Sequence, residues 1–233
     1  MTSSGTTNFA NVTGIGELVV AAYERIQIHA PSLRQEHMLS AQREANFLFS
    51  EASNRQPNLW KLQRTQITLV QGTATYTLPA NTVMVTDCAI VLNFGTSSES
   101  RRYITPISHT EYLTYANQQT PGPPTVYWLN RQLIPTVTFW PVPDGNGPYT
   151  WDFFSVIQMQ DAAVASGQTP DIPYRFYDWM VAGLAYRLAK IYRPELEAIR
   201  KMDATEAWQI ASAQDTEAVN LKIAPAIGVY SPR

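Results

Sequence analysis

Cysteine and histidine are scarce in this sequence. The chain contains one cysteine, Cys88, among its 233 residues. A single thiol excludes an internal disulfide and a cysteine-based zinc site, and the apolar run around Cys88 is typical of a buried structural thiol. His29, His37 and His109 are the only histidines, and none stands in an HExxH pattern or beside a metal-spaced partner. We therefore expect no metal and no cofactor.

Charged residues are also few. Asp, Glu, Lys and Arg make up 15% of the chain and the net charge is −2, so a whole-chain electrostatic grip on DNA is not expected. Hydrophobic residues make up 45%, including 12 Tyr, 8 Phe and 6 Trp, which excludes a disordered chain. Few charges and many aromatic residues predict a surface that is partly covered by partner chains.

Long apolar runs and enzyme motifs are missing as well. No run reaches the ~18 residues of a membrane helix, and the first residues do not resemble a signal peptide, so we expect synthesis in a reducing cytoplasm. There is no GxSxG or GxxxxGK[ST] motif. Asp144, Asp152, Asp161 and Asp171 are carboxylates that glycoside hydrolysis would require in pairs. Asp144 is better explained as a turn residue and Asp171 as a helix-start residue. We predict that the protein is not an enzyme.

Apolar residues at helical spacing predict a helical hairpin over residues 15–60, after a flexible N-terminus over residues 1–14. The stripes are Ile15, Leu18, Val19, Ala22 and Ile26, then Met38, Ala41, Ala45, Leu48, Phe49 and Ala52. Ser32-x-x-Gln35 fits a capping box that opens the second helix, and Pro57 ends it. The short turn between the helices predicts an antiparallel pair.

The period then changes to two, which predicts a β-rich insertion over residues 61–158. Residues 65–70 and 73–78 predict a hairpin around the Gln71-Gly72 turn, and residues 82–92 predict a central strand. Further strands are predicted at 101–107, 125–130, 133–140 and 149–157, with a short helix at a Ser108-x-x-Glu111 capping box. In the last strand, alternation places Tyr149, Trp151 and Phe153 on one face and Thr150 and Asp152 on the other.

Helical spacing returns in residues 159–218. Phe176, Met180, Leu184, Leu188 and Ile191 stripe one helix, and a second runs from Pro194 to about Glu217. We expect both helices to form one bundle with the N-terminal hairpin, with Gly183 permitting close helix approach. The predicted fold class is α+β: an antiparallel helical bundle with an inserted antiparallel β-sandwich or barrel.

Basic residues cluster at the junction of the last two helices. They are Arg187, Lys190, Arg193, Arg200 and Lys201. One interpretation is a solvated charged face, because the helix dipole favours cations near a C-terminus. The other is a surface that docks on an acidic protein collar or faces DNA in a channel.

Residues 219–233 are predicted to form a docking arm. Pro225 and Pro232 prevent a long helix, yet the segment is too apolar for a solvated tail. Its apolar residues are Leu221, Ile223, Ile227, Val229 and Tyr230. The alternative is a tail that folds back on its own subunit or on a neighbouring one.

The order of these motifs resembles the head-to-tail adaptors (connector, or packaged-DNA stabilisation, proteins) of short-tailed bacteriophages. The pieces that carry the resemblance are the helical hairpin, Gly72-x-x-x-Tyr76-Thr77-Leu78-Pro79, Ile107-Ser108-x-x-Glu111-Tyr112, Pro121-Gly122-x-Pro124, Val126-Tyr127-Trp128, Phe139-Trp140-Pro141-Val142-Pro143-Asp144 and Asp171-Ile172-Pro173. They span roughly residues 15–218. No single motif is specific, and the shared order is the stronger signal.

The resemblance implies a structural virion protein at the head–tail junction, assembled in the host cytoplasm. It implies a homododecameric ring beneath the portal, with an opening through which double-stranded DNA passes without sequence recognition. It also implies partners in the portal protein, to which the arm would dock, and in a tail nozzle, tail tube or fibre protein. No membrane contact is expected.

A carbohydrate-binding or fibre-type β-sandwich protein is the main alternative. Tyr127, Trp128, Trp140 and Trp151 would then be stacking platforms for sugars. These aromatics mostly alternate along strands, which is more common for core or interface residues. A barrel that binds single-stranded DNA ranks third, because the net charge is close to zero.

Overall fold

A computed structural model describes residues 14–55, 59–163, 168–213 and 215–216. Within these residues the chain forms five α-helices and eight β-strands. The helices are α1 (Ile15–Arg25), α2 (Gln35–Arg55), α3 (His109–Thr114), α4 (Tyr177–Tyr192) and α5 (Glu197–Ala213). The strands are β1 (Leu62–Leu69), β2 (Thr75–Thr77), β3 (Thr82–Leu92), β4 (Ser100–Tyr103), β5 (Thr105–Pro106), β6 (Val126–Asn130), β7 (Thr136–Trp140) and β8 (Tyr149–Ile157). The predicted α+β fold class is confirmed.

Helix α4 is the centre of the helical bundle. It is apolar on most of its circumference, and Met180, Leu184 and Leu188 are fully buried. Helices α1, α2 and α5 each pack against it. One continuous core joins Phe176, Met180, Leu184 and Leu188 to the apolar stripes of α1 and α2, so the predicted bundle is confirmed. Ile191, the last residue of the predicted α4 stripe, is instead 45% exposed.

The start of the bundle differs from the prediction in two respects. Helices α1 and α2 pack chiefly against α4 rather than against each other as an antiparallel pair. Ser32 does not cap α2, because it lies in a 3₁₀ turn (Ala30–Ser32) and the helix begins at Gln35. The His37 Nδ1 instead accepts a hydrogen bond from the Arg34 backbone N–H at 3.0 Å. This bond satisfies one of the amides that a helix start leaves unpaired.

The β-region forms a sandwich of two four-stranded sheets with strand orders β1-β8-β3-β4 and β2-β7-β6-β5. All strand pairs are antiparallel except β5–β6. Tyr149, Trp151 and Phe153 lie in the core between the sheets, whereas Asp152 points away from it toward Arg64 and Arg101. The predicted alternation along β8 is therefore confirmed.

The predicted hairpin around Gln71-Gly72 is wrong. Strand β1 pairs with β8, and β2 pairs with β7 in the other sheet. The turn, in which Gly72 has a φ of 77°, carries the chain from one sheet to the other. The long β8 offers β1 an eight-residue ladder from Leu62↔Val156 to Leu69↔Tyr149, which satisfies more backbone groups than the three-residue β2 would.

Contacts between the bundle and the sandwich involve the segments just before β1 and just before α4. The Trp60 ring packs on Phe176, with the ring centroids 4.3 Å apart. Lys61 forms an ion pair with Asp171, whose carboxylate also accepts a hydrogen bond from the Gln160 backbone N–H. Asp171 therefore joins the two parts of the fold. The prediction that it starts a helix is wrong, because the 3₁₀ turn before α4 begins at Tyr174 and follows Pro173.

Candidate functional site

A groove of about 290 Å³ lies between α2, α4 and α5. Its apolar lining includes Leu48, Trp179 and Ala204. Gly183 brings α2 and α4 close together, because a Cβ at this position would stand 2.9 Å from the Leu48 Cδ1. The predicted role of Gly183 in close helix approach is thus confirmed, and the Leu48 side chain occupies the place that a larger residue would take.

Two arginines of the groove are neutralised by acidic side chains of α2. The Arg187 Nη2 lies 2.5 Å from the Glu51 Oε2, and its Nη1 lies 3.5 Å from the Glu44 Oε2. Arg55 also pairs with Glu51. Burial alone would raise the pKa of Glu51, but the hydrogen bonds from Arg55 and Arg187 outweigh it and lower that pKa. Glu51 therefore remains a carboxylate that ties α2 to α4.

Two lysines of the groove have ammonium groups that no described carboxylate neutralises. The Lys190 Nζ lies 4.3 Å from the centroid of the Tyr186 ring, and Lys201 is exposed. Within the part of the chain that the structure describes, neither lysine forms an ion pair. The groove therefore combines an apolar lining with two unneutralised ammonium groups, which suits an occupant with both carboxylates and apolar side chains.

The structure brings together three of the five predicted basic residues: Arg187, Lys190 and Lys201. Arg193 and Arg200 do not line the groove and pair with neighbours in sequence, Arg193 with Glu195 at 3.7 Å and Arg200 with Asp203 at 2.7 Å. The Arg193 side chain is 45% exposed, as expected for a solvated charged face, whereas the Arg200 side chain is only 24% exposed.

Arg55 lines the groove although the sequence analysis did not select it. It comes from α2, far from the basic cluster in sequence, and its guanidinium lies 5.2 Å from the Trp208 ring centroid. The available signal was the Glu51–Arg55 spacing of four residues, which is typical of an ion pair along a helix.

Large apolar side chains are exposed on the outside of the bundle. On α5, Ile199, Met202 and Ile210 are 54%, 73% and 66% exposed. On α2, Leu39 and Phe47 are 60% and 53% exposed. Leu133 and Ile134, between β6 and β7, are exposed too. Exposed apolar side chains that join into a large patch are typical of protein–protein contact surfaces, whereas single ones are normal on a monomer.

The outer face of the sheet that contains β8 carries an ion cluster. The buried Asp152 accepts hydrogen bonds from Arg64 at 2.8 and 2.6 Å and from Arg101 at 2.7 Å. These bonds, above all those from Arg64, lower the pKa of Asp152 to about 2. Arg64 pairs with Asp152, and Arg101 pairs with both Asp152 and Glu99. The cluster is best explained as a structural link across the four strands of the β1-β8-β3-β4 sheet.

The aromatic residues of the carbohydrate-binding alternative are largely occupied. Tyr127 and Trp151 are buried in the sandwich core. Trp140 stacks on Tyr115, with ring centroids 4.0 Å apart and planes within 6°. Trp128 stacks less closely on Tyr112, with ring centroids 5.6 Å apart and planes at 25°. The four aromatic rings therefore do not form an exposed row on which sugars could stack, which argues against the carbohydrate-binding alternative.

Three further predictions concern the C-terminal arm, metal binding and membrane-spanning helices. The arm candidates Leu221, Ile223, Ile227, Val229 and Tyr230 fall outside the described residues. Among the residues that are described, no group of three His, Cys, Asp or Glu side chains is placed to hold a metal ion. No described helix is long and apolar enough to cross a membrane.

Comparison with known proteins connects this geometry with a family. No curated protein matches the chain. The family model described as SU10 adaptor protein matches residues 24–222. This range contains α2 to α5, the whole sandwich and the groove. It confirms the resemblance drawn from the order of the motifs: the chain belongs to the SU10 adaptor protein family and is a structural adaptor of the phage head–tail junction.

Proposed function

We propose that the protein forms a ring beneath the portal that links it to the tail nozzle and lets DNA pass. The observation that carries this proposal is the family match over residues 24–222. The exposed apolar side chains of α2 and α5 support it, because a ring subunit needs two contact surfaces for its neighbours. A twelve-subunit ring is expected from the resemblance to short-tailed phage adaptors.

The low net charge suits a protein through which DNA must move. A strongly basic lumen would hold the phosphates and release counterions, and it would slow passage of the duplex. The net charge of −2 and the internal pairing of Arg187, Arg193 and Arg200 favour a lumen without such retention. DNA is therefore a passing partner with no sequence recognition.

The arm over residues 219–233 is the proposed attachment to the portal. Burial of five apolar side chains contributes on the order of 5–10 kcal/mol before the cost of ordering the arm. Repetition around a ring raises the total affinity further through multivalency. A nozzle, tail-tube or fibre protein would bind the remainder of the ring.

Deletion of residues 219–233 tests this attachment. The truncated protein is mixed with portal rings of the same phage, and the bound fraction is measured by sedimentation. We expect at least a tenfold loss of affinity, which corresponds to ~1.4 kcal/mol. Deletion of residues 1–13, a terminal segment of similar length, is the control and should leave binding unchanged. Unchanged affinity of the first variant would show that the arm does not carry the attachment.

A further inference from the structure

Helix α1 presents an acidic face away from the bundle. Its apolar residues Ile15, Leu18, Val19 and Ala22 are buried, which leaves Glu17 and Glu24 exposed. Val20 and Ala21 lie between these glutamates and are half-buried. Neither glutamate forms an ion pair within the described residues. The outer face of α1 therefore combines two free carboxylates with the half-buried Val20, whereas Ala21 also packs against the bundle core.

This face complements the groove between α2, α4 and α5 in charge and in length. The groove carries the unneutralised Lys190 and Lys201 near the α4–α5 turn. At 1.5 Å per residue, the α4 segment from Trp179 to Lys190 that lines it is ~16 Å long. Glu17 and Glu24 are ~10 Å apart along α1 by the same rise. The spacing of the two glutamates is therefore shorter than the groove, so both side chains can reach into it from a helix that lies over its opening.

The two surfaces lie on opposite sides of α4. Helix α1 contacts α4 through Asp178, whose Oδ1 is 2.5 Å from the Arg25 Nη2, and through Tyr192, whose ring centroid is 5.9 Å from that of Tyr23. Asp178 is five residues before Gly183 and Tyr192 is nine residues after it. At ~100° per residue, both point ~140–180° away from Gly183 in the groove. One subunit therefore cannot bring its α1 face into its own groove without unfolding the bundle.

Complementary surfaces on opposite sides of a molecule are what a head-to-tail ring contact requires. We propose that the Glu17–Glu24 face of α1 docks into the α2–α4–α5 groove of a neighbouring copy of this chain, where the carboxylates meet Lys190 and Lys201. This inference rests on the proposed ring and adds the surfaces that join its subunits. DNA is a poorer occupant, because the apolar part of the lining, with Leu48, Trp179 and Ala204, offers no favourable contact to a phosphate backbone.

Charge reversal tests the contact on the full chain. The acidic variant pair is Glu17→Lys with Glu24→Lys, and the basic pair is Lys190→Glu with Lys201→Glu. Each pair should raise the concentration needed for ring assembly by about tenfold or more, because like charges would then face each other. A chain that carries all four reversals should assemble again. Particle mass is measured with and without portal rings, and thermal unfolding checks that each variant folds.

Control reversals distinguish this contact from a general effect of charge. Glu111→Lys with Arg131→Glu alters two exposed residues of the β-rich part and should leave assembly unchanged. Wild-type assembly of both variant pairs would overturn the interface while leaving the ring intact. Failure of the fourfold variant to recover, although it is folded, would also overturn it. A wild-type chain that forms no ring even on portal would instead overturn the proposed function.

Discussion

Trp151 is the residue around which the sandwich core is built. It is fully buried, with its ring stacked on Phe153 at 3.7 Å and in edge contact with Phe139 at 5.1 Å. These partners come from β8 and from β7, so one side chain joins both sheets. The strand period was sufficient to assign its face, because side chains alternate whatever the neighbouring strand is.

Substitution Trp151→Ala should lower the free energy of unfolding by about 3–5 kcal/mol, because it removes apolar contacts and leaves a cavity. Denaturant titration measures the change. Trp128→Ala is the matched control, since Trp128 is only half-buried and should cost less. A change near zero for Trp151→Ala would contradict its place in the core.

Asp152 makes the stability of the sandwich depend on pH. Its folded-state pKa of about 2 lies below the unfolded value of about 4, so its ion pairs stabilise the fold fully above about pH 4. This contribution is lost as the pH falls toward 2. Asp152→Asn should lower the free energy of unfolding at neutral pH by about 1 kcal/mol, after allowance for solvent screening of the partly exposed arginines. The variant should also lose less of its stability than the wild type as the pH falls from 4 to 2.

Unfolding titrations between pH 2 and pH 7 measure this effect. Asp161→Asn, at an exposed position, is the control and should follow the wild-type profile. An Asp152→Asn variant with the wild-type acid limb would show that the Arg64 and Arg101 contacts do not contribute to stability.

At the scale of elements, residue spacing predicted helices and interior strands better than strand partners. The apolar stripes of α1, α2 and α4 repeat over several turns, so their type and buried face follow from the sequence. Strands β1 and β2 are rich in threonine on both sides of a turn, and alternation does not reveal which strand each one joins. Their partners β8 and β7 lie more than 50 residues away in sequence.

Contacts between segments that are distant in sequence also explain why the sequence predictions did not include Arg55 and Glu51 among the residues of the groove. The sequence identified the basic residues of α4 and α5 because they are close along the chain. Arg55 and Glu51 reach the same groove only through the packing of α2 on α4 at Gly183. Contacts of this kind depend on tertiary packing, which local patterns do not contain.

Gly183→Ala should lower stability by up to about 1 kcal/mol, because the added methyl overpacks against the Leu48 side chain and the gain in helix propensity offsets only part of this cost. In a Leu48→Ala background the clash is absent, and the same substitution should stabilise α4 by up to about 1 kcal/mol through helix propensity. A double-mutant cycle by thermal or denaturant unfolding measures this coupling. Equal effects in both backgrounds would show that Gly183 is not required for the close approach of α2.

For the molecule as a whole, the exposed apolar side chains of the helices bear more directly on function than the buried core of the sandwich does. The bundle has its own buried core, yet α2 and α5 leave five large apolar side chains in solvent. A stable subunit with unsatisfied apolar surfaces is typical of a protein that functions in an assembly. The structural adaptor role established by the family match accounts for these surfaces and for the low fraction of charged residues.

The most direct test of the proposed ring is an end-on electron-microscopy image of the full-length protein bound to portal rings of the same phage. We predict one closed ring of twelve subunits coaxial with each portal, with an opening wide enough for duplex DNA. Subunits that remain monomeric beside unoccupied portals, or a ring with a closed centre, would contradict it.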